Sequence, residues 1–255
     1  MIDIDLYKSI LVLITGCLTG SFLNVVIYRM PREKSLVMPG SKCPGCDRPI
    51  AFYDNIPVIS WLILGAKCRK CKEKISIRYP IVELITGILF FLTYQNFDIS
   101  LNWMFLSYFM CLMVVITYID IDFMLILHSI TYPAIVVGFI YSYINNILLQ
   151  SVLGFIIGSV LFYLIAKLSF LLMKKEGMGM GDVALVALLG TWLGLANLMG
   201  SLFISFLLGS LVGIIFLAVK GRSEHFPFGP SLAAGAIITL LTNNYLFNWY
   251  VNNFL

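Results

Sequence analysis

This sequence has little charge. Asp, Glu, Lys and Arg make up 12% of its 255 residues, hydrophobic residues make up 60%, and the mean hydropathy is +0.95. Soluble domains carry about 25% charged residues, so the composition excludes that class. The sequence also lacks low-complexity segments, the Lys and Ser/Thr of a phosphate-binding P-loop, and a Gly-rich nucleotide loop of the Rossmann type. No motif therefore marks a nucleotide site.

What the sequence has instead is a series of apolar runs. Each is long enough to cross a hydrocarbon core of roughly 30 Å, where a helix satisfies its own backbone hydrogen bonds. Asp3 and Asp5 precede the first run, Lys8 is the only basic residue there, and no small-residue cleavage pattern follows. Because this is the wrong charge for a signal peptide, we expect a spanning helix. The sequence predicts an all-α polytopic membrane protein with about eight transmembrane helices, at residues 6–28, 81–97, 99–119, 124–146, 148–172, 183–199, 201–219 and 230–250.

The basic residues indicate which side of the membrane is cytoplasmic. Of the 17 Lys and Arg, 11 lie in a polar block at residues 29–80. In the eight-helix layout this block shares one side with the basic residues that follow the fifth and seventh helices, namely Lys174, Lys175, Lys220 and Arg222. The positive-inside rule makes that side cytoplasmic and puts both termini outside. The asymmetry also accounts for the net charge of +4, which therefore gives no indication of nucleic acid.

Four of the six cysteines form two Cys-x-x-Cys pairs in the polar block: Cys43, Cys46, Cys68 and Cys71. This spacing is typical of a tetrahedral structural zinc site. The alternatives are two disulfides or thiols without metal, and the reducing cytosol disfavours disulfides. Four thiolates leave no open position on the metal, so the zinc would be structural. Cys17 and Cys111 lie within predicted helices and are interpreted as packing residues.

Carboxylates at the ends of apolar runs are the second candidate site. The stretch "KKEGMGMGD" ends in Asp182 after Gly179 and Gly181, and "TYIDIDF" carries Asp120 and Asp122. The predicted topology brings these groups to the cytoplasmic side. Two neighbouring carboxylates tend to share one proton, and such a pair can hydrolyse a peptide by general acid–base catalysis. The alternative is that the glycines end one helix and the aspartate caps the next.

These motifs resemble a known family. "GMGD" is similar to the GxGD motif of intramembrane aspartyl proteases. The segments "GSFLNVVIYRMP", "CPGCDRPIAFYDNIPVISWL", "CRKCKEKISIRYPIVE" and "PFGPSLAAGA" resemble prepilin peptidase signatures in the same order. The resemblance implies an enzyme that cuts the leader from type IV pilin or type II secretion pseudopilin precursors at the cytoplasmic face of the bacterial inner membrane. It also implies N-methylation of the new N-terminal residue, with S-adenosylmethionine as the methyl donor.

The resemblance also assigns residues. The family pattern D-x-D-x-x-x-x-P-D, placed on "DIDFMLILH", makes Asp120 the first catalytic aspartate and Asp122 its neighbour, and GMGD makes Asp182 the second. Leu127 and His128 replace the pattern's Pro-Asp, and His128 is either a polar substitute or a tolerated residue at a helix start.

The organisation that follows is a first helix at 1–28, a zinc-binding, methyltransferase-associated block at 29–80 and a protease core at 81–255. Glu83 is the candidate methyltransferase residue, and the alternative is a carboxylate at a helix start. Asn24 is expected to make a structural hydrogen bond, because a buried amide needs a partner. Two other functions stay open: a GxGD protease without methyl transfer, and a non-enzymatic assembly or transport protein.

Overall fold

The computed structural model describes residues 4–173, 179–220 and 227–242, and they are nearly all helical. Two isolated antiparallel bridges, Lys42–Pro49 and Lys67–Lys74, are their only β pairings. The predicted α class is therefore confirmed. The helices are α1 (Ile4–Arg29), α2 (Ile59–Ile63), α3 (Arg78–Phe97), α4 (Leu101–Phe123), α5 (His128–Ile144), α6 (Leu148–Met173), α7 (Met180–Lys220) and α8 (Gly229–Leu241).

Five stretches of the described residues are long and apolar enough to cross a membrane, and the chain is accordingly a multi-pass membrane protein. They are Ile4–Arg32, Arg78–Phe97, Leu101–Phe123, Leu148–Leu171 and Met180–Val219, and the shorter Gly229–Leu241 is also apolar. The sequence predicted eight spans, a number that these five helices of the described residues do not confirm. The end of the eighth predicted run, together with Lys174, Lys175 and Arg222, lies outside the described residues.

The first of two compact units is Met1–Val115, and α1 packs against α3 within it. A Cβ on Gly16 would lie 2.7 Å from the Cα of Gly87, and one on Gly20 would lie 2.7 Å from the Cα of Glu83. Only glycine permits this approach, which is the small-residue packing common between membrane helices. The two helices that flank the polar block are therefore in backbone contact.

The second unit is Ile116–Leu255, and its long helix α7 contains a kink. At Gly194 the backbone has φ 72° and ψ 170°, outside the helical region. A Cβ on Gly158 of α6 would lie 3.0 Å from Val186 Cγ1 and 2.8 Å from Leu198 Cδ2. Along one straight helix those two residues would be about 18 Å apart. We infer that α7 is two arms folded back at Gly194.

This reversal corrects one predicted boundary. Hydropathy predicted one helix ending at residue 199 and the next beginning at 201, whereas the break lies at Gly194. A positive φ of this kind is open to glycine and costly for other residues. The chain offered several glycines in this region, and hydropathy alone did not identify which of them turns.

Candidate functional site

Asp120 lies in the last turn of α4, which extends to Phe123 rather than ending at residue 119. Its side chain is 5% exposed, and its Oδ2 accepts a hydrogen bond of 2.9 Å from the Gly229 N–H. Gly229 is the first residue of α8, so this N–H has no partner within its own helix. A Cβ on Gly229 would lie 2.6 Å from the same oxygen, so α8 can reach the carboxylate only through a glycine.

Asp182 is the third residue of α7 and is half-buried. Its N–H donates to the Gly179 carbonyl at 3.1 Å, so Asp182 lies inside the first turn and is not the N-cap residue. A Cβ on Gly181 would lie 2.9 Å from Ile126 Cβ, which packs this turn against the segment that follows α4. Ile126 lies six residues after Asp120, and Gly181 immediately precedes Asp182. The structure thus brings together the two segments that carry these predicted residues.

The neighbouring candidates lie in different surroundings. Asp122 is exposed, whereas Asp120 is buried, although the two are separated by a single residue. His128 is the first residue of α5 and is exposed, and its ring stacks on that of Tyr132 at a centroid distance of 5.0 Å. His128 therefore stands at a helix start. The site thus has a buried carboxyl group, Asp120, beside Gly229, and a half-buried one, Asp182, beside Gly181. Such a pair can exchange protons with a water and a peptide bond.

The four predicted zinc ligands form one cluster. The Sγ atoms of Cys43, Cys46, Cys68 and Cys71 all lie within 4.8 Å of one another. Zinc–sulfur bonds of about 2.3 Å in a tetrahedron place the sulfurs about 3.8 Å apart, so the donor set fits zinc. Hydrogen bonds from the backbone N–H groups of Cys71 and Lys70 lower the pKa of the Cys68 thiol, which favours the thiolate that a metal needs, whereas the neighbouring thiols raise the pKa of Cys71.

Two hairpins of the same construction supply these ligands. In the first, the Cys43 N–H donates to the Arg48 carbonyl at 3.0 Å, and in the second the Cys68 N–H donates to the Glu73 carbonyl at 2.8 Å. An antiparallel bridge closes each hairpin outside these bonds. The other two cysteines pack among helices as predicted, with Cys17 Sγ against the backbone of Gly87 and Cys111 against the apolar cluster around Phe90.

A cavity of about 820 Å³ lies beside the cysteine hairpins, between the block and the adjoining ends of α1 and α3. Glu83 lines it and is 7% exposed. Its Oε2 accepts a hydrogen bond of 2.7 Å from the Val58 N–H, and the Ser21 side chain bonds to the same carboxylate. Glu83 is the sixth residue of α3 and lies beyond its first turn, so the alternative of a helix-start carboxylate does not describe it.

Asn24 forms a second link at this cavity. Its amide donates to the Tyr79 carbonyl at 3.1 Å and to the Gly20 carbonyl at 3.3 Å, which confirms the expected structural hydrogen bond. A wall of the cavity is held by Asp54 and Arg69, whose closest oxygen–nitrogen distance is 2.6 Å. Hydrogen bonding from the guanidinium lowers the pKa of the Asp54 carboxyl, so this pair stays charged.

Gly229 and Val58 are site residues that the sequence did not predict. Gly229 lies within "PFGPSLAAGA", but nothing in the sequence shows that its N–H meets a carboxylate 109 residues away. Val58 has φ 62°, which is unusual for a β-branched residue, and its N–H is bound by Glu83. The preceding Pro57 is the only local signal of an irregular backbone at this point.

Family models match most of this chain. The bacterial peptidase A24 N-terminal domain matches residues 14–97, which include the four clustered cysteines and Glu83. The type IV leader peptidase family matches residues 107–214, which include Asp120 and Asp182. No solved structure gives a significant match.

Curated relatives align over nearly the full length. The prepilin leader peptidase/N-methyltransferase of Neisseria gonorrhoeae is 37% identical over 272 residues, covering 94% of this chain and 93% of its own. The protein of the same name from Aeromonas hydrophila is 36% identical, covering 98% and 96%. A type 4 prepilin-like proteins leader peptide-processing enzyme of Escherichia coli O78:H11 is 34% identical, covering 91% and 93%.

Proposed function

Because this chain belongs to the type IV leader peptidase family, we propose that it cleaves the leader of type IV prepilins or pseudopilins and N-methylates the new N-terminal residue. The observation that carries the proteolytic half is the packing of Gly181, next to Asp182, against Ile126 in the segment that follows Asp120. The Oδ2 of Asp120 is held by the Gly229 N–H. Gly179 and Gly181 form the catalytic loop that carries Asp182.

Cleavage needs only these two carboxyl groups and a water. One carboxylate takes a proton from the water, whose oxygen bonds to the carbonyl carbon of the scissile peptide. The second carboxyl group, in its protonated form, gives a proton to the leaving nitrogen as the carbon–nitrogen bond breaks. Since Gly229 occupies Oδ2 of Asp120, we assign Oδ1 to the water. Asp122 is exposed, and we assign it as the neighbour of the catalytic pair and not as a member of it.

For methyl transfer we propose the cavity beside the cysteine hairpins, with Glu83 as its central residue. S-adenosylmethionine, when bound, supplies an electrophilic methyl group on a positively charged sulfur. A cavity of about 820 Å³ with a carboxylate in its wall suits a cationic ligand of this size. Glu83 attracts positive charge, and its bonds to Val58 and Ser21 fix its orientation. The methyltransferase-associated block is 29–80, and the protease core lies within 81–255.

We assign zinc to Cys43, Cys46, Cys68 and Cys71 as a structural metal. The two hairpins have little apolar interior of their own, and a small unit of this kind commonly depends on its metal for folding. The zinc thus supports a wall of the cavity without taking part in chemistry.

For the membrane arrangement we propose eight spans, with both termini outside and both active sites at the cytoplasmic face. The two arms of α7 would count as separate spans, joining α5, α8 and the four other long helices. The concentration of basic residues in block 29–80 supports this orientation. A cysteine introduced at Lys34 should resist an impermeant thiol reagent in intact cells, and rapid labelling would overturn the orientation.

One experiment tests both activities. The purified chain is incubated in detergent with a prepilin precursor and isotopically labelled methyl donor, and the products are measured by mass spectrometry. We expect loss of the leader and gain of one labelled methyl group on the mature peptide. Cleavage without methylation would leave a GxGD protease, and an intact precursor would leave a non-enzymatic membrane protein.

A further inference from the structure

The longest stretch without charge in the polar block is residues 55–66. Residues 55–66 include no Asp, Glu, Lys or Arg, although Asp54 precedes them and Lys67 follows. The helix α2 lies within this stretch. In a block that carries most of the basic residues of the chain, such a stretch needs an apolar environment on at least one side.

The two sides of α2 differ. On the inner side, Ser60 is buried and donates to the Tyr53 carbonyl at 2.9 Å, and the Trp61 indole N–H donates to the Ile75 carbonyl at 3.1 Å. On the outer side, three large apolar side chains have exposed fractions of 55%, 64% and 74%: Ile59, Leu62 and Ile63. We call these three the Ile59 face. They do not line the cavity, whereas Ser60 and Trp61 do.

The bond between Val58 and Glu83 fixes the depth of α2. Val58 immediately precedes α2, and its N–H is held at 2.7 Å by Glu83. Glu83 is five residues past Arg78, the first residue of the spanning helix α3, which corresponds to about 7.5 Å along the helix axis. Leu84, next to Glu83, points outward and is 44% exposed, as expected for a side chain that faces lipid. Because the Glu83 side chain leans toward the N-terminus of its helix, the start of α2 lies beside the first two turns of α3, next to side chains of α3 that face lipid.

We propose that the Ile59 face is a membrane-interface anchor that rests on the lipid around α1 and α3. A short amphipathic segment at this depth buries its apolar side at the boundary of headgroups and acyl chains. The continuity of depth with the lipid-facing side of α3 identifies lipid as the occupant. The anchor holds the cavity wall formed by Ser60 and Trp61 at the membrane surface. It follows from contacts within the first unit and is independent of the proposed enzyme activities.

Photo-crosslinking tests this anchor. The full-length chain carries p-benzoylphenylalanine in place of Leu62 or Ile63 and is reconstituted in phosphatidylethanolamine–phosphatidylglycerol vesicles that contain radiolabelled phosphatidylcholine. Lys72, an exposed residue of the second cysteine hairpin that is absent from the cavity wall, receives the same photoreactive group as the matched control. Zinc content is measured in every variant, so that only folded protein is compared.

We expect the label on the chain after irradiation to be at least ~10-fold higher at Leu62 and Ile63 than at Lys72, because the probe would sit in acyl chains at the first two sites. Label at both sites equal to that at Lys72 would overturn the proposal. So would a product of twice the chain mass, which would identify a second copy, or a crosslink to added prepilin in place of lipid. Two sites are used so that a misfolded variant at one leaves the other to decide.

Discussion

Gly229→Ala should disable cleavage although position 229 carries no reactive group. The added Cβ would lie 2.6 Å from Oδ2 and 3.1 Å from Cγ of Asp120, so the carboxylate has to move or the start of α8 has to retreat. Either movement, of the order of 1 Å, breaks the 2.9 Å bond from the Gly229 N–H. A hydrogen bond to a charged group contributes about 1.5–3 kcal/mol, which corresponds to roughly 10- to 150-fold in rate.

A displacement of about 1 Å at a reacting group commonly costs about 100-fold, which agrees with that range. The two figures describe one movement and are not added. We expect kcat/KM for prepilin cleavage to fall about 100-fold in Gly229→Ala, while methylation of a precleaved peptide continues. The assay separates leader and mature peptide by mass in a time course with purified protein.

Ser231→Ala is the matched control. It changes the same turn of α8 and removes an atom instead of adding one, so it should leave the cleavage rate unchanged. Wild-type cleavage by Gly229→Ala would refute the reasoning, because it would show that the carboxylate does not need its place beside α8. Equal losses in both variants would point to damage of α8 as a whole.

The other substitutions test the remaining assignments. Asp120→Asn and Asp182→Asn should each abolish precursor cleavage as completely as the double variant, with insertion in the membrane retained. Asp122→Asn should have a milder effect on cleavage. Normal cleavage by Asp182→Asn would rule out the protease assignment. Cys68→Ser should lower bound zinc and expose the block to added protease, and zinc-free wild-type protein prepared without chelator would contradict the metal assignment. Glu83→Gln should depress methyl transfer and leave cleavage measurable, so equal loss of both activities would disprove the division of labour.

Much of the fold followed from the sequence because membrane helices are long and locally determined. A continuous apolar run has to be helical in lipid, so α1, α3, α4 and α6 appeared near their predicted positions. The turn at Gly194 was misplaced because it depends on contact with α6 and not on local hydropathy. The short α2 was missed because it lies inside a block that is polar on average.

The site residues were predictable where a motif carries them within a few positions. The spacing of the two Cys-x-x-Cys pairs identifies four candidate zinc ligands, and the structure brings the four sulfurs together. Asp120, Asp122 and Asp182 became candidates through their position at the ends of apolar runs, and the family resemblance selected Asp120 over Asp122. The support given by Gly229 and Val58 was not predictable, because each acts through a single backbone N–H whose partner is distant in sequence. Backbone donors leave no signature in side-chain composition.

The contact between α1 and α3 has a consequence for the order of assembly of the chain. Gly16 and Gly20 hold the two helices together, so the ends of the intervening block, near Arg29 and Arg78, are neighbours before any metal arrives. Closing a free loop of that length costs about 3.5 kcal/mol in chain entropy. Because the paired helices already hold the ends of the loop together, zinc binding does not have to supply this free energy. Loss of zinc then loosens the hairpins, but the contact between α1 and α3 keeps the two ends of the block together. Zinc can therefore bind again without a new loop closure.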